Sequence, residues 1–157
     1  MPTPHSDLPT IRRARADDVP AIVRLLADDP LGRTREDSTE HSTHVYAAAF
    51  LEIDQDPHQL LAVLELAAEV AGTLQLTFIP GLSHRGGRRA QIEAVRIATA
   101  HRGRGLGEML LRWAIDRARE RGCHLAQLAT DKSRTDARRF YERLGFKASH
   151  EGMKLAL

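Results

Sequence analysis

The stretch HRGRGLGEML, His101–Leu110, sets three glycines and two arginines within seven residues and then turns at once into an apolar helical pattern. Amides at the start of a helix lack intrahelical partners, and the helix dipole makes that end partly positive. Glycines let an anion approach the backbone, so the stretch suits a phosphate or pyrophosphate. A P-loop is excluded because no Lys-Ser/Thr follows the glycines. A dinucleotide fingerprint is excluded because Glu108 stands where its third glycine belongs. Two more residues are chemically conspicuous. Glu93 lies inside the apolar run IEAVRI, where a carboxylate needs a reason to be. Tyr141 lies in RRFYERLGF, with Phe140 and Leu144 as helical neighbours.

These residues need elements to position them. Period-two apolar patterns predict strands at 10–16, 59–66, 71–79, 90–98 and 123–130, with two short ones, FKASH and MKLAL, at the end. Helical patterns predict a first helix that ends near DDPLG (28–32), and further helices over 43–55, 105–121 and 134–145. Asp17, Asp18 and Pro20 mark the start of the first helix, and Gly122 and Gly145 follow the ends of the last two. In the second helix the expected buried side is Val45, Tyr46, Ala49, Phe50 and Ile53. The fold class is therefore α/β (α+β). It is a mixed, mostly antiparallel sheet of six to seven strands flanked by four helices. Residues 1–9 read as a flexible tail and 10–157 as a single domain.

The 157 residues suit one ordinary domain, and 42% hydrophobic content provides for a core. The net charge of +2, from 23 Lys+Arg against 21 Asp+Glu, argues against a general nucleic-acid binder. The single cysteine, Cys123, rules out an intrachain disulfide, favours a cytoplasmic protein and is expected to pack in the core. The opening residues lack a signal-peptide pattern, and no apolar run is long enough to span a membrane. His41 and His44 lie three apart outside any metal-ligand pattern, so no metal is expected.

The spacing Arg102-x-x-Gly105-x-Gly107, the segment 92–123 around it, and DARRFYERLGF at 136–146 together resemble the GNAT superfamily of N-acetyltransferases. The likeness in element order runs from about residue 10 to the end. It implies acetyl-CoA as the acetyl donor, with its pyrophosphate on Arg102, Gly103, Arg104, Gly105, Leu106 and Gly107. It further implies that pantetheine lies along Val95, Arg96 and Ile97 as an added strand, where a backbone N–H serves the developing oxyanion. An amine must lose a proton before it attacks a thioester, and the departing thiolate gains one. The resemblance assigns the first task to Glu93, directly or through water, and the second to Tyr141.

Arg134 departs from the pattern, since many relatives carry Asn three residues before the alanine of the tyrosine helix. It is read as a contact to the pantetheine arm or a phosphate, or as a solvated arginine. By resemblance, the acceptor pocket draws on residues 28–37 and the central strands, with Arg35, Glu36 and Tyr46 as candidates and Gln75, Thr77 and Gln127 nearby. The role of His150 is left open between pocket and turn. The expected activity is acetyl transfer to a primary amine of a small metabolite. A protein or peptide acceptor and a noncatalytic acyl-CoA-binding module are the alternatives, and a homodimer is expected.

Overall fold

The structure, a computed structural model, describes residues 8–39 and 42–157. Its centre is a meander. Strands β2 (Gln59–Leu66) and β3 (Glu69–Ile79) are joined by Ala67 and Ala68 alone, both left-handed at φ 49° and 65°. Two consecutive positive φ values match the right-handed twist of the flanking strands. Strand β4 (Arg88–Ile97) returns antiparallel to β3. Strand β1 (Thr10–Arg13) adds antiparallel to β2, and β5 (Cys123–Leu128) adds parallel to β4. The sheet order is β1-β2-β3-β4-β5.

The helices are α1 (Val19–Ala27), α2 (Gly32–Arg35), α3 (Thr43–Gln55), α4 (Ser83–Gly86), α5 (Leu106–Glu120) and α6 (Thr135–Arg143). The two not expected, α2 and α4, have four residues each. Helix α5 covers one face of the sheet. Its Leu106, Leu110, Leu111, Ala114 and Ala118 close on Ala62, Leu64, Leu74, Leu76, Phe78, Ala90 and Ile92. On the opposite face Ala14, Ile22 and Val63 form a smaller cluster joined by Leu26, Phe50, Leu61 and Val70. That cluster seats α1 and α3 over only part of the sheet.

Two expectations need correction. The sheet has five strands among the described residues, because FKASH and MKLAL form none. Apolar alternation tells which face a strand would bury but supplies no neighbour to bond with. Met153, Leu155 and Leu157 are accordingly exposed. On α3, Val45 and Ala49 are exposed, whereas Tyr46, Phe50 and Ile53 are half-buried. Of the expected tail, residues 1–7 lie outside the described residues, as does His41. No described helix is long and apolar enough to cross a membrane.

Candidate active site

The site begins with a fault in β4. Its pairing with β5 stops at Ile92↔Leu128, whereas β4 continues to Ile97. Residues 93–97 therefore face a gap on the β5 side. Ala94 has a left-handed φ of 54°, and the β3–β4 register slips between Thr73 and Gln75. One extra residue in a strand reverses which face its later side chains take. Ile92 packs on the α5 face, and beyond the bulge so do Val95 and Ile97. Glu93 and Arg96 consequently share the opposite face. A regular strand would have separated them.

The register then fixes three rows across that face. The first is Gln59–Thr77–Gln91–Gln127, one residue from each of four strands. The second is Leu61–Gln75–Glu93, and the third is Val63–Thr73–Arg96. The third row is roofed by α1 and α3 packing, and Thr73 is fully buried with its hydroxyl donating to Ala62 O at 2.8 Å. The first row is half-buried, and Glu93 is exposed.

Arg96 does not reach toward the glycine loop. Its Nε lies 3.0 Å from Asp29 Oδ2, off hydrogen-bond geometry, and Nη1 donates to Val95 O at 2.9 Å. Arg134 Nη2 donates to the same Asp29 oxygen at 2.7 Å, and the Gly32 amide donates to the other. Asp29 is buried, and one carboxylate thus joins the α1–α2 turn, β4 and the start of α6. Burial works to raise the Asp29 pKa, but the Gly32 amide, Arg96 and Arg134 outweigh it and hold the carboxyl below its usual range. Burial lowers the Arg96 guanidinium from its ordinary value, with Asp29 opposing. Asp29 escaped the sequence reading because DDPLG reads as a loop. Its only signal is an Asp three residues before a glycine. A Cβ on Gly32 would lie 1.9 Å from Leu26 O, so the turn admits no side chain there.

Glu36 and Tyr46 do come together. The Tyr46 hydroxyl donates to Glu36 Oε2 at 2.8 Å and accepts from the Asp37 amide at 3.0 Å. Burial raises the Tyr46 pKa, and Glu36 adds to that. Arg35 is exposed on α2, and its charge adds to the hydrogen bonds from Ser133 that hold the Asp131 carboxyl below its usual range. Ser149 Oγ lies 2.7 Å from His150 Nδ1 in the exposed C-terminal segment.

Tyr141 sits on α6 next to Phe140, and both pack against the same core as Val95 and Ile97. Its ring lies edge-on to Phe146 with centroids 6.0 Å apart. Burial raises the Tyr141 pKa, with Arg134 and Arg96 pulling the other way. The hydroxyl therefore keeps its proton at neutral pH and has it to give. Cys123 is half-buried against the core, and burial pushes its thiol up as well.

The glycine loop joins β4 to α5. Gly103 and Gly105 are left-handed at φ 73° and 78°, and Gly105 is the N-cap of α5. A Cβ on either would meet nothing within 4 Å, so these glycines are required by backbone conformation and face open space. Met109 is the first α5 amide taken up within the protein, by Gly105 O at 3.1 Å. The amides before it point out of the helix start, which is what a pyrophosphate requires. Arg102 is folded back, with Nε donating to Ile97 O at 3.1 Å and Nη2 to Asp28 O at 3.4 Å. Arg104 Nη1 lies 3.0 Å from His101 Nδ1. In Gly107 a Cβ would touch Phe140 Cζ at 3.5 Å and Ile97 Cγ1 at 3.7 Å, so α5, α6 and the free end of β4 meet there.

The acetyltransferase (GNAT) family model matches residues 20–146, from α1 through the split strand and the loop to the end of α6. The chain belongs to this family. Among solved structures, this GNAT chain is similar to a transcriptional regulator from Bacillus halodurans C-125, with 51% identity and a TM-score of 0.93 over 96% of this chain and 100% of that one. It is 36% identical to the aminoalkylphosphonate N-acetyltransferase of Salmonella typhimurium over 62% of each protein. It is 30% identical to the streptothricin acetyltransferase of Streptomyces lavendulae over 87% of this chain and 61% of that protein. The match thus spans about three fifths of the length of these two curated relatives.

Proposed function

We propose that the protein transfers the acetyl group of acetyl-CoA to a primary amine of a small metabolite by direct attack on the thioester. The observation that carries this reading is the split and bulged end of β4. It presents Glu93 on one face and Val95 and Ile97 on the other, with Ile97 meeting Phe140 of the tyrosine helix and Gly107 of the glycine loop. Family membership and the relative named for an aminoalkylphosphonate support a small amine acceptor.

In this reading the backbone of Gly103–Gly107 holds the pyrophosphate, and pantetheine lies along the unpaired edge of residues 95–97. Arg134 and the Arg96 side chain act through Asp29 to fix the wall of the site. The Glu93 carboxylate takes a proton from the acceptor ammonium, directly or through water. The amine nitrogen bonds to the thioester carbon, and a backbone N–H of the 95–97 segment donates to the oxygen as it gains charge. As the C–S bond breaks, the Tyr141 hydroxyl gives its proton to the sulfur, and the second proton of the attacking nitrogen, lost as the amide forms, passes through solvent to restore the phenol. Glu36 and Tyr46 line the acceptor side.

Release of free CoA thiol in the presence of a panel of small amines tests this reading. Tyr141→Phe should lower kcat about a hundredfold, with acetyl-CoA affinity unchanged. Wild-type protein that binds acetyl-CoA yet releases no thiol with any amine would overturn the reading. An unchanged kcat in the variant would remove Tyr141 as the acid.

A further inference from the structure

The row Gln59–Thr77–Gln91–Gln127 lies one step along the sheet from Glu93, about 7 Å on the strand rise. Its side chains bond along the sheet surface. Gln59 Oε1 accepts from Thr77 Oγ1 at 2.9 Å and from Gln75 Nε2 at 3.0 Å, and Gln91 Oε1 accepts from Gln127 Nε2 at 2.7 Å. That leaves the amide nitrogens of Gln59 and Gln91 and the amide oxygens of Gln75 and Gln127 without a protein partner among the described residues. Exchanging N and O in any of these amides keeps donors and acceptors mixed.

We propose that this row is the acceptor subsite and that it takes a polyhydroxylated amine, whose hydroxyls bond to the row while its amine faces Glu93. The inference rests on the acetyl-transfer reading and names its substrate class. A hydroxyl is both donor and acceptor, so it matches a surface that offers both side by side. A phosphate or carboxylate uses donors only and would set its charge against the Gln75 and Gln127 oxygens. An alkyl chain would bury the amides unpaired, which is unfavourable. Of the arginines of β4 on this face, Arg89 turns its Nη1 to the β3–β4 loop, 3.7 Å from where a Cβ on Gly81 would sit. Arg96 is two rows away and bound to Asp29, and Arg89 stands opposite Ile79 and Leu125, beyond the far side of the row.

The test compares glucosamine, 2-aminoethylphosphonate and cyclohexylamine as acceptors, read by release of free CoA thiol. Wild-type protein should show kcat/KM at least about tenfold higher for glucosamine than for the other two. Thr77→Val, nearly isosteric, and Gln91→Leu should each cut that preference about fivefold, with acetyl-CoA affinity retained as the check on folding. Preference for the phosphonate or the cycloalkyl amine, or a preference unmoved by both variants, would overturn the subsite and leave acetyl transfer standing. Thiol release with none of the three, while other amines are turned over, would also overturn it. Release with no amine at all would remove the acetyl-transfer reading and the subsite together.

Discussion

The two faces of the sheet are built on opposite terms. On the α5 face, Leu74, Leu76, Phe78 and Ile92 meet Leu110, Leu111 and Ala114, and all of these side chains are fully buried. On the other face, α1 and α3 cover one end, and glutamines, a threonine and a glutamate occupy the rest. Burial of apolar area on the first face holds the fold. The second face gives up that burial and keeps side chains that can bond to something else. At Ala94 the strand that carries the site crosses between these roles, because its bulge turns Val95 and Ile97 to the α5 side and leaves Glu93 and Arg96 on the other.

Substitutions on the two faces should therefore separate activity from stability. The largest effect is expected from Glu93→Gln, which should lower kcat/KM about a thousandfold in the thiol-release assay, leave the melting temperature unchanged and flatten the rise of rate with pH. A preserved pH profile would remove Glu93 as the base. Leu110→Ala should do the reverse. It should cost about 3 kcal/mol of stability in a urea titration while the folded fraction keeps its turnover.

Asp29 ties the faces together, and Asp29→Asn should cost about 2 kcal/mol by leaving Arg96 and Arg134 without their shared carboxylate. The same group gives an acid limb. Its folded carboxyl titrates below the unfolded value of about 3.9, so its contribution is complete above that value and is lost as pH falls through the lower folded one. Urea midpoints measured from pH 5 downward should fall less steeply in the Asn variant than in the wild type. The smallest effect is expected at Ala94→Gly, a gain of up to about 1 kcal/mol from relief of a left-handed alanine. A loss of stability there would mean that the alanine methyl group contributes more through packing than the strain takes away.

Much of the α5 face was legible in the sequence. Helix α5, strands β2–β4 and the glycine loop all follow from periodicity and from glycines at places that need them. Glu93 was conspicuous because a carboxylate broke an apolar run, yet its shared face with Arg96 was hidden. Alanine carries no signal for a positive φ, and the bulge depends on pairing with β3. Arg134 was read as touching the cofactor or solvent, and the sequence did not show that it also bonds to Asp29, 105 residues away in the chain. No local pattern reports a contact at that separation. The two final strands failed for a related reason, since MKLAL has the alternation of a strand but no described neighbour to complete it.

That difference in sequence separation also has a kinetic consequence. The meander from Gln59 to Ile97, the loop and α5 are consecutive in the chain, so they close through short connections. The acceptor wall instead needs Asp28 against Thr99 and Asp29 against Arg134, at separations of 71 and 105 residues. Closing such long loops is slow, and contacts of this kind form late in folding and open early in native-state fluctuations. The half of the molecule that would hold the donor is thus the more persistent unit, and the wall around the acceptor can breathe without melting it.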